Sequence, residues 1–208
     1  MKNLLLALCF ALVSSFATAS VPTDKPDELV RALTDEVLEI LRTDEQLKNG
    51  DTDRAVKLIE ETVLPHFDFP RMTMLAVGRD WRDASAAQRE RLIDAFYDML
   101  VRTYSNALTE YSDQKVHFRP LRMSPDDRTV RVQTQIEQSG GQPVAVDYVL
   151  ERQQDGWKVF DVVIAGVSLV TNYRSTFAQE IRAGGIDGLI RALETRGSEI
   201  AKRAEGKS

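Results

Sequence analysis

The fold is decided by residues 130–164, which read VRVQTQIEQSGGQPVAVDYVLERQQDGWKVFDVVI. Apolar and polar side chains alternate over residues 130–137 and again over residues 144–150. A period of two is typical of strands that bury one face and expose the other. A glycine pair separates the two segments, and Asp155-Gly156 after the second is a strong hairpin signal. The stretch therefore predicts consecutive antiparallel strands.

A further strand is predicted on each side of this pair. Residues 157–164 are apolar on both faces apart from Lys158 and Asp161, a pattern typical of a central strand. Residues 117–121 provide the first strand. Because the connections are short, we expect the strands to pair in sequence order as an antiparallel sheet of about four strands.

Helical periodicity occupies most of the remaining chain. Apolar residues recur every four positions over residues 29–41, and a Ser85-Gln88 capping box opens the longest predicted helix. A helix over residues 169–183 follows the sheet. We therefore expect an α+β fold, in which long helices pack around one face of a twisted sheet and leave an apolar cleft between.

The N-terminal segment has the three-part layout of a secretory signal. Lys2 precedes an apolar run at residues 4–13, and small residues lead up to Ala19. The run is shorter than the roughly 20 residues that span a bilayer. We expect cleavage after Ala19, so that residues 1–19 are a signal peptide. Residues 20–208 then form a single cysteine-free domain outside the cytoplasm.

The composition argues against several classes of function. The formal charge of −5 becomes −6 when Lys2 leaves with the signal peptide, which does not favour nucleic acid or an anionic bilayer. No second apolar run has the length of a membrane span. His66 and His117 share no ligand spacing and have no cysteine to join them, so we expect neither a metal nor a cofactor.

Catalytic motifs are missing from the sequence as well. There is no G-x-S-x-G elbow, H-E-x-x-H pair or phosphate-binding glycine loop. Asp147 and Asp161 fall on adjacent predicted strands and form the one carboxylate pair that could do acid–base work. More often such residues lie on a solvated face or pair with arginine, and we expect no catalytic residues.

The candidate binding residues are apolar. Long helices on a strongly twisted sheet can leave a gap, and such gaps accept apolar ligands. The residues that we expect to line this cleft lie in the apolar stripes of helices and strands that should face one another. They are Phe96, Leu100, Tyr104, Val132, Ile136, Val146, Tyr148, Val163, Val167, Tyr173 and Phe177.

Two segments carry a resemblance to a known family. Residues 78–82 read GRDWR and precede the capping box and the long helix. Residues 157–170 read WKVFDVVIAGVSLV and run almost directly into residues 172–177, NYRSTF. In order and spacing, these segments resemble the MlaC family, the toluene-tolerance type of periplasmic phospholipid-binding protein. The resemblance covers about residues 25–195, with departures at Leu92, often aromatic in the family, and at Ala165, often acidic.

The resemblance implies a soluble carrier without enzymatic activity. Such a protein shuttles a glycerophospholipid across the periplasm and maintains the lipid asymmetry of the outer membrane. It implies that the cleft residues above bind the acyl tails. It also implies two docking partners, an outer-membrane lipoprotein–porin complex and an MCE-type subunit of an inner-membrane ABC transporter.

Two other functions remain open from the residues themselves. An envelope adaptor without a ligand would use every apolar residue as core. A hydrolase or isomerase of an apolar substrate would need a titratable pair facing a cavity, and Asp147 with Asp161 is the pair available.

Overall fold

An antiparallel sheet with strands in sequence order forms the centre of the fold. The computed structural model describes residue 21 and residues 23–109, 114–137 and 141–205, so the predicted signal peptide lies outside the described residues. The strands are β1 (Lys115–Phe118), β2 (Thr129–Glu137), β3 (Val144–Gln153), β4 (Gly156–Ile164) and β5 (Val167–Ser168). The predicted meander of about four strands is confirmed, and the two-residue β5 is added to it.

The described residues form six α-helices, five before the sheet in the sequence and one after it. They are α1 (Pro26–Thr43), α2 (Glu45–Lys48), α3 (Thr52–Leu58), α4 (Phe69–Val77), α5 (Ala86–Thr109) and α6 (Leu169–Glu205). A π-turn and a 3-10 turn continue α3 as far as His66, and a 3-10 turn at Gly78–Arg82 follows α4. Gly185 has a non-helical conformation that kinks α6, close to residue 183, where the predicted helix ends.

The capping box predicted from the sequence opens α5. The Ser85 amide donates to the Gln88 side-chain oxygen at 3.1 Å, and the Gln88 amide donates to the Ser85 hydroxyl at 3.2 Å. Each side chain thereby satisfies a backbone donor that the first turn of a helix leaves free. Asp68 caps α4 in the same way, by accepting from the Arg71 amide at 3.0 Å.

One face of the sheet is apolar along the full width of β2, β3 and β4. Helix α1 covers part of this face, where Leu29, Val30 and Leu33 join the strand residues in one buried cluster. The members of that cluster are Leu29, Val30, Leu33, Val130, Val132, Leu150, Trp157 and Val159. Burial of apolar side chains from both elements fixes α1 to the sheet, since it removes their surface from water.

The outer edge of β4 is covered by three separate pieces of chain. The Trp157 amide donates to the Thr23 carbonyl at 2.9 Å, and the Asp68 amide donates to the Val159 carbonyl at 2.8 Å. Further along, β5 pairs through Val167 with Ile164. Strand β4 is therefore interior, as its apolar sequence predicts, and short segments protect its outer edge.

A second apolar core lies among α4, α5 and α6. It contains Phe96, Phe177 and the buried leucines of α5 and α6, and both α4 and α6 contact β4. The predicted α+β fold class, a twisted antiparallel sheet with helices, is confirmed. Among the described residues, no helix combines the length and the apolar character that crossing a membrane requires.

Gly156 provides a test of the covered edge. Its φ is +122°, and a Cβ at this position would lie 2.6 Å from the Thr23 carbonyl oxygen. We expect Gly156→Ala to lower the free energy of unfolding by about 2 kcal/mol or more, measured by urea denaturation, because of backbone strain and this collision. Gly188→Ala in α6, where contacts are ordinary, is the control and should not destabilise. An unchanged midpoint for Gly156→Ala would contradict the placement of Thr23.

The turn between β4 and β5 provides a second test. Ala165 and Gly166 both have positive φ, +50° and +85°, as a two-residue hairpin turn requires. A left-handed conformation costs alanine roughly 1 kcal/mol, whereas asparagine tolerates it. We expect Ala165→Asn to raise the free energy of unfolding by up to about 1 kcal/mol, and Ala165→Val to lower it. Equal denaturation midpoints for the two variants would contradict the turn geometry.

Candidate functional site

The apolar face of the sheet is only partly covered by α1. The register aligns Val132 with Tyr148 and Val162, and aligns Val146 with Ile164. Residues towards the β4–β5 turn keep accessible surface, up to 57% for Val167. We call this region the open apolar face. It consists of Ile136, Val144, Val146, Tyr148, Val162, Ile164 and Val167.

Tyr148 lies in the middle of the open apolar face. Burial raises the pKa of its hydroxyl to about 12, yet the side chain keeps some accessible surface. No other described residue provides a hydrogen-bond partner for the hydroxyl. A phenol that is surrounded by apolar groups but still accessible is suited to the wall of a ligand cleft, where a polar group or water can satisfy it.

The helix residues predicted for the cleft form an aromatic cluster. The ring centroid of Phe96 lies 5.2 Å from that of Tyr173 and 5.1 Å from that of Phe177, both in edge-to-face geometry. Phe96 and Phe177 are fully buried, and Leu100 is nearly so. These three side chains pack the core between α5 and α6.

Two tyrosines at the border of this cluster remain accessible. Tyr104 is 37% exposed and Tyr173 is half-buried. Burial raises the pKa of both hydroxyls, and neither has a hydrogen-bond partner within the described part of the chain. Tyr104 and Tyr173 are thus the helix residues from the predicted set that a ligand could reach.

The structure divides the eleven predicted residues into two groups. Five of them are sheet residues that share the apolar face, and five others, including Tyr104, lie on α5 and α6. Val163 belongs to neither group, because it pairs with Asp147 on the opposite face. The physical reason is a β-bulge at Phe160, which adds one residue between Val159 and Asp161 and reverses the alternation beyond it. Val162 and Ile164 take the place that was predicted for Val163.

The two aspartates considered for acid–base chemistry have separate partners. Asp147 lies 3.5 Å from the Arg131 guanidinium. Asp161 accepts from the Ser168 hydroxyl at 2.6 Å and from the Val170 amide at 3.1 Å, at the start of α6. Asp161 is therefore a positioning group for the strand-to-helix junction, and the geometry supports no catalytic carboxylate pair.

The histidines do not form a site. His117 lies 3.0 Å from Glu137 at the exposed end of the sheet. His66 is half-buried, and its pKa is lowered by burial and, to a smaller extent, by Lys158. Within the described ranges, no cluster of three histidine, cysteine or acidic side chains could hold a metal ion.

Sequence reasoning missed a pocket of about 540 Å³ between α4, the following 3-10 turn and α6. Its lining combines apolar side chains of α4 with arginines, and it shares no residue with the predicted cleft. The lining residues are Met74, Leu75, Val77, Gly78, Arg79, Asp80, Arg82, Arg174 and Ala178. The available signal was the recurrence of arginine around Gly78 and again at Arg174, which the sequence alone did not bring together.

Comparisons with known proteins agree on one family. The family model described as MlaC protein matches residues 31–195. An intermembrane phospholipid transport system binding protein of Haemophilus influenzae is 23% identical over 203 residues, which are 96% of this chain and 95% of that protein. A toluene tolerance protein of Pseudomonas putida is 24% identical over 192 residues, 92% of this chain and 88% of that protein.

A solved structure agrees with the family model. The phospholipid-binding protein of Ralstonia solanacearum, determined in complex with a phospholipid, is 35% identical and superposes with a TM-score of 0.78. The match covers 83% of this chain and 96% of that one. With the family model matched over most of the domain, the chain belongs to the MlaC family.

Proposed function

We propose that this protein is a phospholipid-binding transport protein that holds the acyl tails of its cargo against the open apolar face. The observation that carries the proposal is that this face stays accessible in a chain related to a protein solved with a phospholipid. A sheet face of apolar side chains that no helix fully covers needs another apolar partner.

The energetics of the cargo explain why a carrier is needed. Two acyl chains contain about 30 methylenes, and exposing each costs about 0.8 kcal/mol. The total, on the order of 24 kcal/mol, makes free diffusion of a phospholipid through water negligible. A protein that moves phospholipid between membranes must therefore keep both tails covered during the transfer.

We propose that the accessible residues form two walls of the site, one on the sheet and one on the helices. On the sheet, Ile136, Tyr148 and Val167 offer surface to the tails, with Val162 and Ile164 beside them. On the helices, Tyr104 and Tyr173 offer aromatic surface with a hydroxyl that could meet the ester groups. The fully buried members of the predicted set belong to the packed cores beside these walls.

We further propose the cellular context that the family implies. The chain is exported, cleaved after Ala19, and works in the periplasm. It carries glycerophospholipid between an outer-membrane lipoprotein–porin complex and an MCE-type subunit of an inner-membrane ABC transporter. This transfer maintains the lipid asymmetry of the outer membrane. Docking opens the cleft, with Gly166 and the Gly184-Gly185 kink as hinges.

The first test is lipid analysis of the purified protein. Residues 20–208 are expressed behind an export signal in a Gram-negative host, purified without detergent, and examined by native and extract mass spectrometry. We expect one or more phospholipids per protein molecule in whole-number ratio, because the free-energy cost of exposing the tails to water keeps the lipid bound during purification. Protein without lipid, which also takes up none from vesicles, would instead support the ligand-free adaptor.

The second test places charge on the open apolar face. We expect Ile164→Lys with Val167→Lys to reduce copurified phospholipid about tenfold or more, because each buried ammonium would be desolvated by the tails. Both positions are accessible, at 36% and 57%, so the fold should tolerate the change.

The matched control adds two lysines to the opposite face of the same sheet. Gln133 and Gln135 alternate with the apolar residues of β2, so Gln133→Lys with Gln135→Lys changes the net charge equally. Phospholipid content should stay at the wild-type value in this control. Equal loss in both variants, or no loss in either, would contradict the proposed lining.

A further inference from the structure

The pocket next to the 3-10 turn has a cationic rim on an otherwise acidic protein. Arg79, Arg82 and Arg174 line it, against the single carboxylate of Asp80. The whole chain has a formal charge of −5, so this excess of positive charge is local. Such a rim attracts anions, and the apolar walls beside it lower the local dielectric and strengthen the attraction.

Most of the guanidinium capacity in this rim is unused. Arg174 donates its Nε and Nη2 groups to the Leu75 carbonyl at 3.2 and 2.9 Å, and meets no carboxylate among the described residues. Arg82 likewise has no ion-pair partner within the described ranges. Arg79 approaches Asp80 only loosely, at 3.5 Å, and its side chain is 83% exposed. The rim can therefore accept an anion without first breaking a strong ion pair.

The 3-10 turn places two of the arginines on one side. In this helix type, residues three apart lie one above the other, which aligns Arg79 with Arg82. The turn is held by Arg89, whose Nε donates to the Trp81 carbonyl at 3.2 Å and whose guanidinium lies 5.4 Å from the Trp81 ring centroid. The backbone that carries the two cations is thus fixed before any ligand arrives.

The floor of the pocket is apolar. Leu75, Val77 and Ala178, which are all less exposed than the arginines, form this floor, and Met74 is 38% exposed. Gly78 has a φ of +72°, and a Cβ built on this residue would lie 3.8 Å from the Arg174 Nε. The volume of about 540 Å³ lies within the range of small-molecule pockets, roughly 300–1,000 Å³.

We propose that this pocket binds the phosphate group of an amphipathic phosphate ester, with the arginines on the phosphate oxygens and a short apolar body on the floor. Guanidinium groups suit this chemistry because their paired N–H donors match two oxygens of one phosphate. The site is separate from the open apolar face and does not depend on phospholipid carriage. The same phosphate chemistry can come from a lipid headgroup at a membrane surface or from a free phosphate compound.

The test uses isothermal titration calorimetry on purified residues 20–208 with three probes: hexyl phosphate, inorganic phosphate and hexanol. We expect hexyl phosphate to bind, and Arg79→Glu with Arg82→Glu to weaken it by about tenfold or more for each arginine. Arg119→Glu with Arg122→Glu, two exposed arginines outside the pocket, is the charge-matched control and should bind like the wild type.

A second variant keeps the test independent of charge. Ala178→Phe fills the floor and should abolish hexyl phosphate binding while leaving the arginines in place. Copurified phospholipid should stay at the wild-type amount in every variant, which separates this pocket from the carrier function. The proposal would be overturned if hexyl phosphate did not bind, or if the Arg79→Glu, Arg82→Glu variant bound it as tightly as the wild type does. Hexanol that binds as tightly as hexyl phosphate would also overturn it.

The same titrations distinguish the two sources of phosphate. Inorganic phosphate that binds as tightly as hexyl phosphate would contradict the apolar part of the proposal. Hexyl phosphate that binds more tightly than inorganic phosphate, without flotation on vesicles, would assign the pocket to a free phosphate ester. Tighter hexyl phosphate, together with flotation on phosphatidylglycerol vesicles that is lost on changing Arg79 and Arg82, would assign it to a lipid headgroup.

Discussion

The structure depends on the burial of one apolar sheet face by elements that are too short to cover it. Helix α1 covers the part around Trp157 and Leu150, where the side chains are almost wholly buried. Beyond Tyr148 on the same face, Thr134 and Val146 stay buried, but Ile164 and Val167 are 36% and 57% exposed. Since apolar surface of this kind is costly in water, the unfilled half has the property expected of a binding surface.

The outer edge of β4 shows how the fold combines protection with access. The N-terminal segment at Thr23 and the residue before α4, Asp68, each hydrogen-bond to this edge and hold the covered half of the sheet in place. At the other end, the part of the chain that the structure describes pairs with it through the two residues of β5 alone. The attachment is therefore strongest beside the core under α1 and weakest beside the open apolar face.

Sequence reasoning succeeded where structure follows from local chemistry. The Ser85-Gln88 capping box and the alternation in β2 and β3 determine α5 and the paired strands directly. It failed for Val163, because one extra residue at Phe160 reverses the alternation and nothing in the composition of β4 marks the bulge. It also missed the arginine pocket, since residues 79–82 and Arg174 come together only through the packing of α4 against α6.

Release of a tightly covered lipid requires that some part of the cover be attached loosely. If the tails lie on the open apolar face, the strand beside them with the shortest pairing is β5, at its junction with α6. It is held by the short pairing with Ile164 and by the Asp161 bonds to Ser168 and Val170, while Ala165 keeps its turn in an unfavourable conformation. The buried cluster under α1 is a separate core, and none of its members lies in β5 or at the start of α6. A carrier built in this way retains a stable half while the other half exchanges its cargo.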